Sequence, residues 1–243
     1  DWNGVRVGEK TFSVINQRGE NSIVMNLDIY YLETTVVDRM GEPLSSAKVE
    51  SSIDGEVMSS YETDKNGRLT FKLPSESFEL ITTWDGYKVN ETSVEIDHNK
   101  PLTINASVYH VDFRVLDSQQ NTTTNAYIEI THGNETYSTG RTDNSGIYSV
   151  KIPEEEYSLS TEWQGVEVYD QKVTVSDNGL FNLTSGIYYL TIDGADERNK
   201  TVENMAVSIY HGSLVEGQDL MTTVDVQERK TLRVPAGEIE FTA

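Results

Sequence analysis

The chain has 243 residues, of which 36% are hydrophobic and 24% are charged. Acidic residues outnumber basic residues by 40 to 19, and the resulting formal charge of −21 repels phosphate backbones and argues against nucleic-acid binding. Cysteine is absent, which excludes disulfides, thiolate metal sites and cysteine nucleophiles. No apolar run approaches the roughly 20 residues of a membrane span. No signal peptide is visible at Asp1, so we interpret the chain as mature, trimmed or a fragment.

An internal repeat of 79 residues organises the chain. Residues 31–109 align without a gap on residues 110–188, with 20 of 79 positions identical. Identities at turn and core residues, such as Gly67 with Gly146 and Trp84 with Trp163, make a chance register improbable. The alignment predicts four segments: residues 1–30 as the C-terminal strands of a preceding repeat, 31–109 and 110–188 as complete repeats, and 189–243 as a repeat that lacks its last strands.

Each repeat shows the period of a β-strand. Leu69, Phe71 and Leu73 alternate with polar residues, and turn signals such as Asn66-Gly67 recur every 8–12 residues. About seven short strands per repeat is the number found in a β-sandwich. The pattern predicts an all-β chain of tandem antiparallel Ig-like (transthyretin-like) β-sandwich domains in a rod. We expect the two repeated tryptophans to fill the core between the sheets.

Two motifs resemble a known family. The segment GEPLSSAKV at residues 41–49 and the hairpin TDKNGRLTF at residues 63–71 resemble the carboxypeptidase regulatory-like domains. The second repeat keeps Thr142-Asp143 and Gly146 but lacks the glycine at residues 119–121, and the third has lost the Thr-Asp hairpin. The resemblance implies a transthyretin-like or immunoglobulin-like sandwich, of a kind used mostly as non-catalytic spacers and accessory modules.

The related collagen-adhesin B-type repeats of Gram-positive surface proteins carry Lys–Asn isopeptide bonds. This sequence departs from them, because Leu32–Val37 and Val111–Leu116 contain no lysine. The glutamate that those repeats carry after the Y-x-L motif is replaced by Thr82 and Thr161. We therefore predict no intramolecular isopeptide bond.

The sequence offers little that resembles a catalytic site. The four histidines are His98, His110, His132 and His211, and none stands at a metal-ligand spacing. Nucleophile-elbow, phosphate-loop and dinucleotide motifs are absent from the sequence. We predict that the chain is not an enzyme and that it has no catalytic, cofactor-binding or metal-binding residues. We expect its histidines to lie at strand edges or in loops.

The tight turns leave one alternative open. Asp64 and Asn66, like Asp143 and Asn144, precede a turn glycine. Their oxygens could bind Ca²⁺, although these loops lack the spacing of a known calcium loop. The other interpretation is an Asx-turn, in which the aspartate accepts hydrogen bonds from the backbone of its own hairpin.

Six Asn-x-Ser/Thr sequons are more than chance predicts for this composition. They are Asn90, Asn105, Asn121, Asn134, Asn182 and Asn199. The strand alternation predicts that Asn105 and Asn182 point outward. We predict N-glycosylation at these six sites, provided that the protein is exported. The alternative is that a polar β-surface is simply rich in asparagine and threonine.

Repeats, acidity and sequons together favour an extracellular cell-surface protein, with a profile similar to archaeal cell-surface and S-layer glycoproteins. The leading hypothesis is a structural array that builds a surface layer, stalk or filament. Its partners would be neighbouring copies or adjacent repeats of a longer chain, with residues 1–30 completing the third repeat of the next copy by strand addition. The alternative is an accessory carbohydrate- or protein-binding module of a secreted hydrolase or adhesin. In that case aromatic residues would stack on sugars: Tyr87, Tyr137, Tyr148, Trp163 and Tyr169.

Overall fold

The computed structural model describes Trp2 and residues 4–11, 24–202, 205–211, 219–226 and 229–242. These residues form 19 β-strands and no helix. None of their segments is therefore a helix that could cross a membrane. The chain divides into two compact units. Unit 1 comprises residues 1–110, 151–154 and 176–178, and unit 2 comprises residues 111–150, 155–175 and 179–243.

The first seven strands belong to unit 1. They are β1 (Ile29–Val37), β2 (Lys48–Ile53), β3 (Glu56–Glu62), β4 (Arg68–Pro74), β5 (Ser77–Trp84), β6 (Tyr87–Glu95) and β7 (Lys100–Asn105). A three-stranded sheet has the order β4-β1-β7, and a four-stranded sheet has the order β3-β2-β5-β6. This is the predicted Ig-like β-sandwich. The hairpin partners are antiparallel as predicted, whereas β1 and β7 are parallel neighbours.

The same architecture recurs 79 residues later. The strands are β8 (Val108–Leu116), β9 (Tyr127–His132), β10 (Glu135–Arg141), β11 (Ile147–Pro153), β12 (Glu155–Trp163), β13 (Val166–Val175) and β14 (Gly179–Thr184). Their sheets have the orders β11-β8-β14 and β10-β9-β12-β13, again with a parallel pair, β8 and β14. The structural repeat therefore follows the repeat in the sequence.

The last strands form two smaller sheets. They are β15 (Ile187–Asp193), β16 (Met205–His211), β17 (Asp219–Val226), β18 (Arg229–Pro235) and β19 (Ile239–Thr242). Strands β15 and β18 form a two-stranded sheet, and the other sheet has the order β17-β16-β19. Among the described residues, each of these sheets has one strand fewer than its counterpart in the earlier repeats. Val207, Ile209 and Val226 form the small core between them.

Alternating apolar residues build the cores, as the period of two predicts. In unit 1, Leu32, Phe71, Phe78 and Leu80 are buried together between the sheets. In unit 2, the buried residues include Phe113, Ile128, Tyr157 and Leu159, of which Tyr157 and Leu159 align with Phe78 and Leu80. The tryptophans differ from our expectation. Trp84 is half-buried at the margin of its core, where its Nε1 donates to the Ser45 carbonyl over 3.3 Å, and Trp163 is also half-buried.

Candidate functional site

The first candidate site lies in the loop of residues 38–42, where backbone N–H groups donate hydrogen bonds to the Asp38 carboxylate. Asp38 follows β1, and its Oδ1 accepts hydrogen bonds from the backbone N–H groups of Met40 and Glu42, both over 2.9 Å. The Asp38 N–H donates to the Glu42 carbonyl over 2.9 Å. Gly41 closes the loop at a φ of 82°, a value that glycine adopts without steric cost. The loop holds the Asp38 carboxylate at 0% exposure.

The second oxygen of Asp38 is bound by two groups from other strands. Oδ2 lies 2.8 Å from Nε2 of His110 at the start of β8 and 2.7 Å from Nζ of Lys151 in β11. Glu42 Oε2 lies 3.4 Å and 3.3 Å from the same two nitrogens. Because an acceptor cannot pair with a carboxylate, His110 Nε2 carries its proton in this arrangement. We call Asp38, Glu42, His110 and Lys151 the first aspartate node; all four belong to unit 1.

The partners decide the charge state of Asp38. Burial penalises the charged form, but hydrogen bonds from Lys151, His110 and the backbone of Glu42 and Met40 outweigh it. Together they lower the pKa of Asp38 from 3.8 to about 2. The node therefore contains a buried carboxylate that is ionised at neutral pH and fully compensated by hydrogen bonds.

Unit 2 contains a second node of the same design. Asp117 is 0% exposed, and its Oδ1 accepts from the N–H groups of Gln119 and Asn121, both over 2.9 Å. Its Oδ2 lies 2.7 Å from the Tyr189 hydroxyl and 3.2 Å from Nε of Arg233. Burial raises the pKa of Asp117, as it does that of Asp38. These hydrogen bonds and the Arg233 charge together lower the pKa by more, so that it lies below the ordinary value of 3.8. We call Asp117, Asn121, Tyr189 and Arg233 the second aspartate node.

Aromatic and backbone contacts fix the cation of the second node. The Arg233 guanidinium lies 5.4 Å from the centre of the Trp163 ring, within the range of a cation–π interaction. It also donates to the Thr122 carbonyl over 3.3 Å and to the Thr123 hydroxyl. The half-buried Trp163 thus supports the node.

The two nodes occupy equivalent places in the repeat. Asp38 aligns with Asp117 and His110 aligns with Tyr189, each pair 79 residues apart. Lys151-Ile152-Pro153 ends β11, and Arg233-Val234-Pro235 ends β18, the equivalent strand of the third repeat. Asp38 and Asp117 are identical positions of the repeat, but no sequence motif predicts a role for either of them. The signal that could have found the nodes is a charged residue retained at an apolar strand end in both repeats.

A metal ion fits the first node poorly. The ligand atoms of Asp38, Glu42 and His110 lie within 4.8 Å of one another, as in a three-ligand site. The Lys151 ammonium already lies 2.7 Å from Asp38 and 3.3 Å from Glu42, and it would repel a divalent cation at the same oxygens. The arrangement is that of a buried ion-pair network, which fixes strand ends in place.

The hairpin aspartates have the geometry of Asx-turns. Asp64 Oδ1 accepts from the N–H groups of Asn66 and Arg68 over 2.8 and 2.9 Å. These bonds lower the pKa of Asp64, the bond from Arg68 contributing most. Asp143 accepts in the same way from Ser145 and Ile147, over 2.8 and 2.9 Å. One carboxylate oxygen of each aspartate is thus used by the backbone of its own turn, and calcium binding at these turns stays a prediction.

The remaining histidines lie apart from both nodes. His98 is exposed beside Asp97, 2.5 Å from its carboxylate. His132 ends β9, 3.9 Å from Glu155, and His211 ends β16. Of the four histidines, His110 is the one that the structure brings into a charged cluster.

The six sequon asparagines are spread over both units. Asn105 in β7 and Asn182 in β14 are exposed, as are Asn121, Asn134 and Asn199 in turns and loops. Asn90 is half-buried, and its Nδ2 donates to the Asn105 carbonyl over 3.2 Å. The Nδ2 of Asn121, the atom that a glycan would modify, donates to the Tyr189 hydroxyl over 2.9 Å. Glycosylation at these sites stays a prediction.

No protein-family model matches the sequence, and no curated protein matches it either. The carboxypeptidase regulatory-like resemblance therefore stays a prediction. Among solved structures, the chain is similar to the Bacillus anthracis TIE protein at 15% identity and a TM-score of 0.30, covering 88% of this chain and 45% of that one. It is also similar to the minor pilin GBS52 of Streptococcus agalactiae, at 13% identity and a TM-score of 0.37. That match covers 64% of this chain and 95% of the pilin. Two B repeat units of the Staphylococcus aureus collagen-binding protein match at 14% identity and a TM-score of 0.25. That match covers 88% of this chain and 67% of the other.

The chain spans less than half of the TIE protein.

Proposed function

We propose that this chain is a non-catalytic extracellular structural protein, a tandem Ig-like array that builds a cell-surface layer, stalk or filament. The observation that carries the proposal is the parallel pairing of the first and last strands within each full repeat. Six residue pairs join β1 to β7, from Leu32↔Lys100 to Val37↔Asn105. Six more join β8 to β14, from Gly179↔Val111 to Thr184↔Leu116.

This pairing suits a protein that bears tension along its chain. A force applied at the two ends of a repeat pulls β1 and β7 in opposite directions along their common axis. The hydrogen bonds between them are therefore loaded together, in shear, rather than one after another. An antiparallel hairpin pulled at its open end breaks its bonds singly and yields at a lower force.

The aspartate nodes support the same role. Asp38 ties the end of β1 to His110 and Lys151, and Asp117 ties the end of β8 to Tyr189 and Arg233. Each node joins the residue after the first strand of one repeat to the first and fourth strands of the next repeat. A protein that transmits tension needs such ties where one sandwich ends and the next begins.

Single-molecule force spectroscopy tests the load-bearing role. Because the chain has no cysteine, anchors can be placed freely. Asp28→Cys with Asn105→Cys loads β1 against β7 in shear, whereas Lys48→Cys with Glu62→Cys opens the β2–β3 hairpin from paired ends. We expect a markedly higher unfolding force for the shear pair. Equal forces for the two geometries would contradict the proposal.

The surface location and the glycans need a separate experiment. We expect antibodies to label intact cells of the source organism and brief protease treatment to remove the label. Glycopeptide mass spectrometry of the native protein should find glycans at exposed sequons such as Asn105 and Asn182. Label that is detected only after cell lysis would contradict an extracellular role.

Strand addition between copies is a further part of the proposal. It is supported by β15, which has one partner strand, β18, within the described part of the chain, whereas β1 and β8 each have two. Residues 1–30 of another copy would add the strands; much of that segment, residues 12–23, lies outside the described residues. Head-to-tail polymers that disappear when residues 1–30 are deleted would support strand addition, and polymers that survive the deletion would rule it out.

The accessory-module alternative has weaker support. The five aromatic residues that could stack on sugars are all half-buried and lie on five different strands, β6, β10, β11, β12 and β13. Because β6 and β11 belong to different sheets from the one that contains β10, β12 and β13, the five rings do not share one sheet face. We expect no binding in a glycan-array screen, and specific binding to one glycan class would favour the module over the structural role.

A further inference from the structure

Each aspartate node has an acceptor half, the aspartate and its loop, and a donor half, the two side chains that bind the aspartate Oδ2. The loop that follows β15 repeats the acceptor half. Asp196 Oδ1 accepts from the N–H groups of Arg198 and Lys200, both over 2.8 Å, and the Asp196 N–H donates to the Lys200 carbonyl over 2.8 Å. Asp196 stands 79 residues after Asp117 and forms the same set of loop bonds as Asp38 and Asp117 do. Its side chain is exposed, and no described residue contacts its Oδ2.

Unit 1 carries the matching donor half. Tyr31 and Lys72 are directly opposite each other in β1 and β4, as the node residues Tyr189 and Arg233 are in β15 and β18. Tyr31 is 49% exposed and Lys72 is exposed. No described residue is bonded to the Tyr31 hydroxyl or the Lys72 ammonium.

The donor half is already in position. The Tyr31 N–H donates to Asn99 Oδ1 over 2.8 Å, and at the first node the His110 N–H donates to Asn178 Oδ1 over the same distance. The bond fixes the start of β1 as it fixes the start of β8. Neither half would therefore have to reorganise before binding, which lowers the entropic cost of association.

We propose that Asp196 of one chain binds the Tyr31–Lys72 pair of a second copy, forming a third aspartate node between copies. The inference rests on the proposed structural role and names the contact through which copies would join head to tail. The chemistry is that of the second node: a tyrosine hydroxyl donates to Oδ2 and a cationic side chain neutralises the carboxylate. The aligned backbone bond would run from the Glu197 N–H to the Ile29 carbonyl, as Ser118 donates to Ile187 over 2.9 Å.

The junction between copies should be weaker than the first node for an identifiable reason. At the first node Arg39 donates to the Ser107 hydroxyl over 2.9 Å and lies 5.9 Å from the centre of the Tyr109 ring. The positions that align with Arg39 and Ser107 at the new junction are Glu197 and Asp28, two acids. Their repulsion adds to that between two chains of charge −21.

Self-association of the full chain tests the proposal. Sedimentation equilibrium and light scattering would follow the wild type from about 10 µM to about 1 mM at roughly 0.15 M salt, where repulsion between distant charges is screened. We expect Asp196→Asn to weaken association by about tenfold, the effect of losing a charge-assisted hydrogen bond. Lys72→Asp should abolish it over this concentration range, because the substitution also places a second carboxylate opposite Asp196. Glu197→Arg should strengthen association, because the new cation would face Asp28 and the Tyr30 ring.

Matched variants separate this contact from general changes of charge. Asp64→Asn removes the same charge from an Asx-turn of the same geometry and should leave association unchanged. Asp196→Lys and Lys72→Asp should each fail to associate alone and should associate when mixed, because the mixture restores one wild-type pair and creates one reversed pair.

The outcomes distinguish the inference from the proposed function. Head-to-tail polymers that are insensitive to Asp196 and Lys72 would overturn the inference while leaving assembly intact. No association of the wild type up to about 1 mM would overturn it as well, while the load-bearing role would still be decided by the force measurement.

Discussion

The Oδ2 atom of Asp38 lies 2.7 Å from Nζ of Lys151, and the same oxygen lies 2.8 Å from Nε2 of His110. A carboxylate at 0% exposure is thus held by a loop on one oxygen and by two charged or polar groups on the other. A buried carboxylate is stable only where hydrogen bonds and opposite charges compensate it. Removal of one partner leaves part of the charge uncompensated and strongly destabilises the folded state. Asp38 is therefore a position where small changes should have large effects.

The pH dependence of unit 1 should report on Asp38. Because folding lowers its pKa from 3.8 to about 2, ionised Asp38 stabilises the folded state above pH 3.8, and this contribution is lost as the pH falls through about 2. The shift corresponds to about 2 kcal/mol. We expect Asp38→Asn to lower the free energy of unfolding by about that amount at pH 7, measured by hydrogen exchange of the amides in β1.

The difference between wild type and Asp38→Asn should shrink as the pH falls from 3.8 through about 2, because Asp38 is progressively protonated in the folded state and becomes uncharged like asparagine. Asp54→Asn is the control: Asp54 is exposed in the β2–β3 turn with a φ of 50°, which asparagine also adopts. It should leave exchange in β1 unchanged. A wild-type minus variant difference that is independent of pH would contradict the assigned role of Asp38.

The second node can be tested by removing a single oxygen. Tyr189→Phe deletes the hydroxyl that lies 2.7 Å from Asp117 Oδ2 and keeps the ring. A hydrogen bond to a buried charged group contributes about 2 kcal/mol, so we expect unfolding of unit 2 in urea to require about that much less free energy. Tyr188→Phe, at a neighbouring side chain that is 52% exposed, should have no measurable effect. Equal effects of the two substitutions would contradict the second node.

Local sequence signals predict the strands but not the nodes. The alternation of Leu69, Phe71 and Leu73 predicts β4, since a period of two places all three on one face, and all three are buried. The glycine turns predict the hairpins because few residues adopt a positive φ. Contact between Asp38 and Lys151 depends instead on which strand ends the topology brings together, and no local pattern encodes that.

Two details show the limits of reasoning from residue type. The large apolar side chain of tryptophan predicts a position in the core between the sheets. Trp163 is instead half-buried, with the Arg233 guanidinium over its ring. The period of two also predicts only antiparallel strands, whereas β1 pairs in parallel with β7. Seven strands that reverse at each step leave the first and last pointing the same way, and these two become neighbours only through the fold of the whole repeat.

Two buried threonines, Thr82 and Thr63, differ in their hydrogen bonding, and substitution by valine should change stability in opposite directions at the two positions. Thr82 has a buried hydroxyl with no hydrogen-bond partner among the described residues, so Thr82→Val removes an unsatisfied polar group without changing the shape. We expect it to raise the free energy of unfolding by about 1 kcal/mol. Thr161, its equivalent in β12, has the same unsatisfied hydroxyl and should behave alike.

Thr63→Val is the contrasting substitution. The Thr63 hydroxyl donates to the Leu44 carbonyl over 2.6 Å and accepts from the Ala47 N–H over 2.9 Å. Valine would leave both backbone groups unpaired in a buried site, and we expect a loss of about 2 kcal/mol in urea unfolding. If Thr82→Val and Thr63→Val change stability in the same direction, the hydrogen bonding assigned here is wrong.

The hairpin glycine Gly67 should tolerate no side chain. Its φ is +69°, and a Cβ atom placed on it would lie 2.5 Å from the Val36 carbonyl oxygen, the same oxygen that accepts from the Leu44 N–H over 3.0 Å. Gly55 has a similar φ of +81° but nothing within 4 Å of an added Cβ. Alanine at either position meets the same conformational cost, so the difference between them isolates the clash.

We expect Gly67→Ala to destabilise unit 1 by about 2 kcal/mol more than Gly55→Ala, the typical cost of overpacking against a backbone that cannot move. Gly146, the equivalent in unit 2, should give a similar result, because its added Cβ would lie 2.8 Å from Thr122 Cβ and 3.0 Å from the Thr123 nitrogen. Urea unfolding of the four proteins, wild type included, is the measurement. Similar losses for Gly67→Ala and Gly55→Ala would mean that the hairpin does not pack against the end of β1, and the placement of the neighbouring Asp38 loop would then fail with it.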